Sequence, residues 1–311
     1  MSGHVDVAAG ILINDEGRVL LGRRPTAKVY AGYWEFPGGK VEAGESTHQA
    51  LVRELREELD IEVTHAYPWL TQTFTYPHAT VRLQFFRVTA WIGTPVAKEH
   101  QALDWQHPTS FDLEPMLPAN TPVLRALALP QEYAITDIAT IGESAFLRRL
   151  DERLAGGLRM IQLREKSASR PELIRIGQEI VSRARRYRAL VMVNSEAPIA
   201  QSIGADGIHL TSAALLAAGA RPGVRWVGAS CHDPDELQRA ARLGVDFAVL
   251  GPVQTTASHP RSIPIGWTQF AALARNAGLP VYAVGGLTHH DIETAWQHGA
   301  HGVAMIRGSW D

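Results

Sequence analysis

Two differently patterned stretches follow one another along the chain. Through residue 125, short apolar runs and partial alternation suggest strands, interrupted by one strongly helical segment. Val5–Ile13 and Val19–Arg23 are apolar runs on either side of Asn14–Gly17, which predicts a β-hairpin. Thr47–Leu59 places Leu51, Val52, Leu55 and Leu59 at helical spacing and predicts an amphipathic helix. Thr80–Thr89 is rich in β-branched and aromatic residues and reads as a long strand. Leu117–Leu127 reads as a short helix after a proline-containing turn. Prolines 108, 115, 118, 122 and 130 then punctuate the chain, and the boundary falls near Ala128–Glu132. This gives domains 1–130 and 131–311. The linker is expected to be tight, because no Gly/Ser-rich tether is present.

From Tyr133 onward, apolar strands alternate with helical segments. The strands are Ala134–Thr136, Met160–Leu163, Leu190–Val193, Gly207–Leu210, Trp226–Ala229, Phe247–Leu250, Val281–Val284 and Gly302–Ile306. Between them lie Glu143–Ala155, Pro171–Tyr187, Ala197–Ile203, Ser212–Ala218, Pro234–Leu243, Trp267–Ala277 and His289–His298. Repeated βα units predict a parallel sheet, and eight strands favour a compact closed (β/α)₈ barrel over an open doubly wound sheet. Arg307–Asp311 leaves no room for the eighth helix, so a domain interface or a partner chain is expected to cover that gap.

Composition narrows the function classes. Of 311 residues, 45% are hydrophobic and 20% charged, which is ordinary globular composition. The formal net charge is −2, so a basic footprint for stable nucleic-acid binding is absent. The one cysteine, Cys231, excludes an internal disulfide framework or a Cys-rich metal site. The N-terminal apolar run lacks a basic flank and is read as a strand. No stretch is long and apolar enough to span a membrane. Cytoplasmic location and no membrane partner are the resulting expectations, and a homo-oligomer stays open.

The sharpest chemistry lies in the predicted helix. Glu54, Glu57 and Glu58 stand at i, i+3 and i+4, so their carboxylates share one face. Like charges so placed repel unless a cation sits among them, and hard cations such as Mg²⁺ prefer oxygen ligands. A solvated acidic face balanced by Arg53 and Arg56 is the bland alternative. Gly38, Gly39 and Gly44 permit a tight loop ahead of the helix.

The run Gly39–Ile61 resembles the Nudix signature G-x5-E-x7-R-E-U-x-E-E-x-G-U, in which U is a bulky apolar residue. Gly39, Glu45, Arg53, Glu54, Leu55, Glu57, Glu58 and Ile61 match, and Asp60 replaces a glycine. That glycine ends the helix, where Asp tolerates left-handed geometry better than most residues. The resemblance implies an α/β/α sandwich around a mixed sheet and cleavage of a nucleoside diphosphate linked to another moiety. It implies Mg²⁺, with Mn²⁺ as a substitute, held by Glu54, Glu57, Glu58 and the Gly38 carbonyl. Arg53 would orient the glutamates, while Gly39, Lys40 and Glu45 would support the loop and helix.

Further segments resemble the mutator-type subfamily that destroys 8-oxo-dGTP. They are Leu21–Arg24, Trp34–Lys40, Gly93–Glu99 and Leu117–Val123. The resemblance implies Glu99 as a fourth metal carboxylate and Asn120 as the purine-reading residue, with Arg24 and Phe36 near the nucleotide. Each has an alternative: an ordinary surface pair for Glu99, a helix cap for Asn120, a surface strand residue for Arg24 and core for Phe36. The expected reaction is conversion of 8-oxo-dGTP to 8-oxo-dGMP and pyrophosphate, a nucleotide-pool sanitation. A thiamine-pathway pyrophosphate is the alternative substrate.

The second stretch resembles the thiamine-phosphate synthase superfamily over roughly 133–309. Gln162-Leu-Arg164-Glu-Lys166, Gly204–Leu210, Gly251-Pro252 and Val284-Gly285-Gly286 carry the likeness. Polar residues gather after the strands: Gln162, Arg164, Lys166, Asn194, His209, Ser230, His232, Thr256, His259, Gly285 and Gly286. Strand ends are where such barrels place their sites, and Gly285 and Gly286 could cradle a phosphate with backbone N–H groups. The synthase pattern has Asn-Asp where this chain has Asn194-Ser195. It has another metal-binding Asp where Thr211–Ala214 stand here, and a lysine where His259 stands. Missing carboxylates argue against Mg²⁺–pyrophosphate binding. A thiazole tautomerase using His232, or a non-catalytic ligand-binding or oligomerisation module, are the remaining readings.

Overall fold

The computed structural model describes residues 4–256 and 263–311. The chain divides into two compact units, Met1–Leu129 and Pro130–Asp311.

In the first unit, β1 (Val5–Leu12) runs parallel to β6 (Thr80–Ile92) and antiparallel to β4 (Gly38–Lys40). Strand β5 (Glu62–Thr75) completes this mixed sheet, in the order β4-β1-β6-β5. A smaller sheet holds β3 (Trp34–Glu35), β2 (Val19–Arg23) and β7 (Ala102–Gln106) in that order. Alternation along β1 separates two cores. Ala8 and Leu12 meet Leu51, Leu55 and Leu59 of α1 (Thr47–Leu59). Ala9 and Ile11 meet Val123 and Ala126 of α2 (Thr121–Leu127). The β-sheet is thus covered on both faces.

The expected hairpin is corrected. β1 and β2 belong to different sheets and share only the single bridge Ile13↔Val19. Eight successive residues of β1 pair with β6, and this long parallel ladder takes the strand away from β2. The pattern also passed over β5. It carries Pro68 and many polar residues and lies at the sheet edge, where a missing N–H is tolerated.

Helix α1 begins with a capping box in which Ser46 and Gln49 satisfy each other's backbone N–H groups. It ends at Asp60, whose φ of 59° is left-handed. The segment before α2 is a separate 3₁₀ turn, Pro118–Asn120.

The second unit is a closed parallel barrel. Its strands are β8 (Glu132–Ile135), β9 (Met160–Leu163), β10 (Leu190–Asn194), β11 (Gly207–Leu210), β12 (Trp226–Cys231), β13 (Phe247–Leu250), β14 (Val281–Val284) and β15 (Gly302–Met305), and β15 closes onto β8. Helices α3 (Ile138–Ile141), α4 (Glu143–Ala155), α5 (Arg170–Arg186), α6 (Ala197–Ile203), α7 (Ser212–Ala217), α8 (Pro234–Leu243), α9 (Gly266–Ala274) and α10 (Ile292–Gln297) follow the strands. The gap after β15 is filled from within. The turn Arg307–Ser309 leads to Trp310, which is buried against Phe146 at 4.8 Å. Its Nε1 donates to the Ile135 carbonyl at 2.7 Å, and Arg149 binds its own carbonyl. One indole therefore takes the place for which an interface or partner was expected.

Candidate functional site

The acidic face of α1 is organised by one guanidinium. Arg53 donates to Glu45 at 2.7 and 3.3 Å, Glu54 at 2.9 Å, Glu57 at 3.2 Å and the Lys40 carbonyl at 3.0 Å. Glu45 in turn accepts from the Glu42 N–H at 2.7 Å, which closes the loop ahead of the helix. The backbone at Gly39 approaches Glu54 so closely that a Cβ there would lie 2.2 Å from the carboxyl.

Glu58 sits apart from this network. It is 3% exposed and accepts from the Gly38 N–H at 2.9 Å. Burial pushes its carboxyl up to about 7; the Gly38 N–H and Lys28 oppose this, and Glu35 and Glu54 add to it. Lys28 Nζ lies 3.6 Å from Glu58 and 3.1 Å from Glu99, so one ammonium bridges the two. Lys98 is engaged elsewhere, with Asp60. Sequence reasoning missed Lys28, which occupies a turn without periodic signal. It also missed His100, buried 3.9 Å from both Glu35 and Glu58. Burial holds that imidazole down to about 4.

Among the described residues, no three His, Cys, Asp or Glu side chains are gathered around a point as a metal site. The donor chemistry nevertheless fits a hard cation. Glu54, Glu57, Glu58 and Glu99 offer only oxygen, and the desolvated Glu58 has the 3.6 Å Lys28 as its nearest ammonium.

The nucleotide candidates differ in environment. Arg24 is bound to Glu35 and to the Val29 carbonyl, 2.8 Å away. Phe36 is 4% exposed and packs edge-on against Phe85 at 6.0 Å, a core contact. Asn120 is 3% exposed and makes no side-chain capping bond to α2. Its Nδ2 has no hydrogen-bond partner. The adjacent Ala119 N–H donates to the Tyr76 hydroxyl, and Tyr76 packs on Tyr30 at 5.4 Å. Tyr30 itself holds a left-handed φ of 60°. From the sequence, Tyr76 is expected in a turn bordering the pocket, with no contact assigned to it; Tyr30 is not singled out there, because distant segments bring the two rings together.

In the barrel unit, a cavity of about 680 Å³ opens at the ends of the strands. Gln162, Arg164, His209, Ser230, His232, Thr256, Gly285 and Gly286 line it. Asn194 binds Gln162 at 3.4 Å. Lys166 is exposed and outside the lining, and His259 lies outside the described residues. Gly285 and Gly286 have φ of 108° and 69°, a conformation open to glycine. Among the described lining residues, Asp311 is the one carboxylate. The two places where acids were missing are taken up by loop contacts. Ser195 Oγ accepts from the Thr211 N–H at 3.0 Å, and Ser212 Oγ is bound to Glu236. Glu236 also accepts from His232 Nδ1 at 2.9 Å and from its backbone N–H at 2.7 Å. The sequence held a signal for this glutamate, three residues past the helix cap Asp233.

Comparison with known proteins now bears on both units. The NUDIX domain model matches residues 8–126, and the thiamine monophosphate synthase model matches residues 132–308. The chain belongs to both families. The CTP pyrophosphohydrolase of Escherichia coli is 43% identical over 122 residues, 39% of this chain and 90% of that protein. The 8-oxo-dGTP diphosphatase of Haemophilus influenzae is 38% identical over 123 residues, 40% of this chain and 90% of that one. The thiamine-phosphate synthase of Chlorobium luteolum is 34% identical over 174 residues, 54% of this chain and 82% of that protein. A pyrophosphohydrolase of the Nudix type acting on a small nucleotide or metabolite is thus supported. No helix among the described residues is long and apolar enough to cross a membrane.

Proposed function

We propose that the first unit hydrolyses 8-oxo-dGTP to 8-oxo-dGMP and pyrophosphate. Asn120 carries this reading. A buried amide that neither caps its helix nor pairs its Nδ2 is poised for a ligand. An amide presents a donor and an acceptor together, which suits the oxidised guanine edge with its O6 and protonated N7. Glu54, Glu57, Glu58 and Glu99, with the Gly38 carbonyl, would hold Mg²⁺, with Mn²⁺ as a substitute. When bound, the metal neutralises phosphate charge and lowers the pKa of water. Arg53 fixes the bearing of Glu54 and Glu57, and the Gly38 N–H fixes that of Glu58.

A second reading rests on the 43% identity to a CTP pyrophosphohydrolase, since an amide can also meet a cytosine edge. A thiamine-pathway pyrophosphate is the third. Steady-state release of pyrophosphate from 8-oxo-dGTP, dGTP and CTP, and of inorganic phosphate from thiamine pyrophosphate, separates them, with Glu57→Gln as the inactive control. The 8-oxo-dGTP reading expects the largest kcat/KM for that nucleotide and loss of the preference in Asn120→Ala. Equal rates on dGTP refute it.

For the barrel, we infer a ligand pocket that does not run a metal–pyrophosphate synthase step. Its charged lining among the described residues is Arg164, Arg307 and the single carboxylate Asp311, beside the Gly285–Gly286 backbone, and Ser195 and Ser212, which stand where acids are missing, are held in loop contacts. His232, held at Nδ1 by Glu236, leaves Nε2 for proton transfer in a thiazole tautomerase. Calorimetry with thiazole carboxylate phosphate tests this, and absence of binding leaves the barrel as a regulatory or oligomerisation module.

A further inference from the structure

One imidazole stands between two buried carboxylates of the first unit. The side chain of His100 is 1% exposed, and its Nε2 lies 3.9 Å from an oxygen of Glu35 and 3.9 Å from an oxygen of Glu58. Neither distance is a hydrogen bond. Both carboxylates are largely removed from water, however, where a facing N–H acts more strongly than at a surface. Glu35 is anchored on the nucleotide side by its pair with Arg24. Glu58 is the most buried of the glutamates assigned to the metal.

The fold holds the ring in this place. The Lys98 N–H donates to the Glu58 carbonyl at 3.0 Å, and the Gln101 N–H donates to the Arg23 carbonyl at 2.8 Å. The loop carrying His100 is thereby tied to α1 on one side and to β2 on the other. A Cβ at Gly22 of β2 would lie 2.3 Å from Cδ2 and 2.5 Å from Nε2 of His100, so the absence of a side chain there makes room for the ring. Gly22 also pairs with Glu35 across β2 and β3, which sets Glu35 beside the imidazole. Nδ1 is buried and has no hydrogen-bond partner among the described residues. Nε2 is thus the ring atom through which His100 makes its polar contacts. A hydrogen on Nε2 points at two carboxylate oxygens. A hydrogen on Nδ1 alone would be buried unpaired and would turn a lone pair toward both acids.

We infer that His100 is a positioning residue whose Nε2–H, set between Glu35 and Glu58, holds Glu58 in its bearing for a divalent cation. Two like charges with an apolar group between them would turn away from each other, and Glu58 is the one whose bearing the metal needs. The role is exerted through Glu58 and requires no contact of His100 with metal or nucleotide. It rests on the reading of Glu58 as a metal ligand.

The test is Mn²⁺ binding to the full chain at pH 8, followed by electron paramagnetic resonance without substrate. His100→Leu keeps apolar bulk and removes the N–H; affinity is expected to fall about 10-fold, the lower end of what partners of metal ligands contribute. His100→Gln returns an N–H at similar reach and is expected to recover most of the loss. Unchanged affinity in His100→Leu overturns the inference, and so does an equal loss in both variants, which would reduce the role to packing. A further measurement needs no variant to fold as leucine. In the unsubstituted chain labelled with ¹⁵N-histidine, the ring signal missing from His100→Gln is that of His100, and Mg²⁺ is expected to shift its Nε2 resonance saturably. An unmoved resonance overturns the inference. Glu58→Gln separates it from the reading beneath it. If that variant binds Mn²⁺ as the unsubstituted chain does, Glu58 is no ligand and both fall. If Glu58→Gln weakens binding and His100→Leu does not, the His100 inference falls alone.

Discussion

Arg53→Lys is the perturbation that separates charge from geometry in the Nudix unit. The lysine retains the positive charge beside Glu45, Glu54 and Glu57. It loses the planar fork, and with it most of five contacts between 2.7 and 3.3 Å. An ammonium on a flexible stem cannot hold three carboxylates and the Lys40 carbonyl at once. Glu54 and Glu57 would then sample other rotamers, and their placement for a cation would have to be recovered on binding. Partners that orient metal ligands typically contribute about 10–100-fold to metal affinity or activity. We expect kcat/KM at limiting Mg²⁺ to fall by about that factor, with part of the loss recovered as Mg²⁺ is raised. The melting temperature should move only a few degrees, because partly exposed pairs contribute little to stability. Steady-state pyrophosphate release across a Mg²⁺ series measures the first effect, and calorimetric melting the second. A variant with wild-type kcat/KM at every Mg²⁺ concentration would show that charge alone suffices and refute the positioning argument.

Three further outcomes are expected. His209 and His100 are held neutral in the folded protein down to about 3 and about 4, whereas the unfolded chain protonates them near the ordinary value of about 6.5. Between those limits the unfolded state binds the extra proton, so each unit loses stability as pH falls, by up to about 1.4 kcal/mol per pH unit for each histidine. Urea melts at pH 7, 5.5 and 4.5 should show a flatter barrel slope in His209→Gln; an unchanged slope would contradict the assignment. Burial pushes the Cys231 thiol up to about 12, so Ellman's reagent at pH 8 should label it only at the rate of barrel opening, and complete labelling within seconds would argue against that burial. Gly38→Ala should lower the melting temperature of the first unit by about 10 °C, because φ is 144° and a Cβ would lie 2.1 Å from the Ala8 carbonyl oxygen; a shift under 2 °C would mean that β1 and β4 can separate there without cost.

What was legible in the sequence, and what was not, follows from how far apart the cooperating residues lie. The barrel strands and α1 carry their pattern locally: Gly207–Leu210 and Phe247–Leu250 are observed with the bounds their apolar runs predict, as is Thr47–Leu59. Arg53 and its carboxylate partners were also within reach, because Glu45, Glu54 and Glu57 lie within eight residues of it along the chain. Contacts across long separations left no such trace. Lys28 meets Glu99 across 71 residues, and Tyr133 meets His209 across 76. Neither lysine in a turn nor tyrosine in an apolar strand announces such a partner. Asn120 is intermediate: the sequence left it as either a base reader or a helix cap, and the structure shows no side-chain capping bond.

The same difference in reach bears on how each unit would evolve its chemistry. In the first, Glu54 and Glu57 sit on one helix and share Arg53 with Glu45, so a change in one is felt by the others at once. In the barrel, each polar group comes from a different strand end and is tied to a local loop. Ser195 is spent on the Thr211 N–H and Ser212 on Glu236, yet the Gly285–Gly286 turn and Arg164 still line the cavity. The absence of acids at those two positions leaves the lining by Arg164 and the Gly285–Gly286 turn in place. Restoring acids singly, as in Ser195→Asp or Ser212→Asp, should therefore not restore a metal site. Each new carboxylate would compete for contacts the loop already uses, and Ser212→Asp would set two carboxylates together at Glu236. Mn²⁺ titration of each single variant, followed by electron paramagnetic resonance, should show no binding beyond that of the unsubstituted chain. A new stoichiometric site would mean that the loop contacts yield easily and that charge alone was missing.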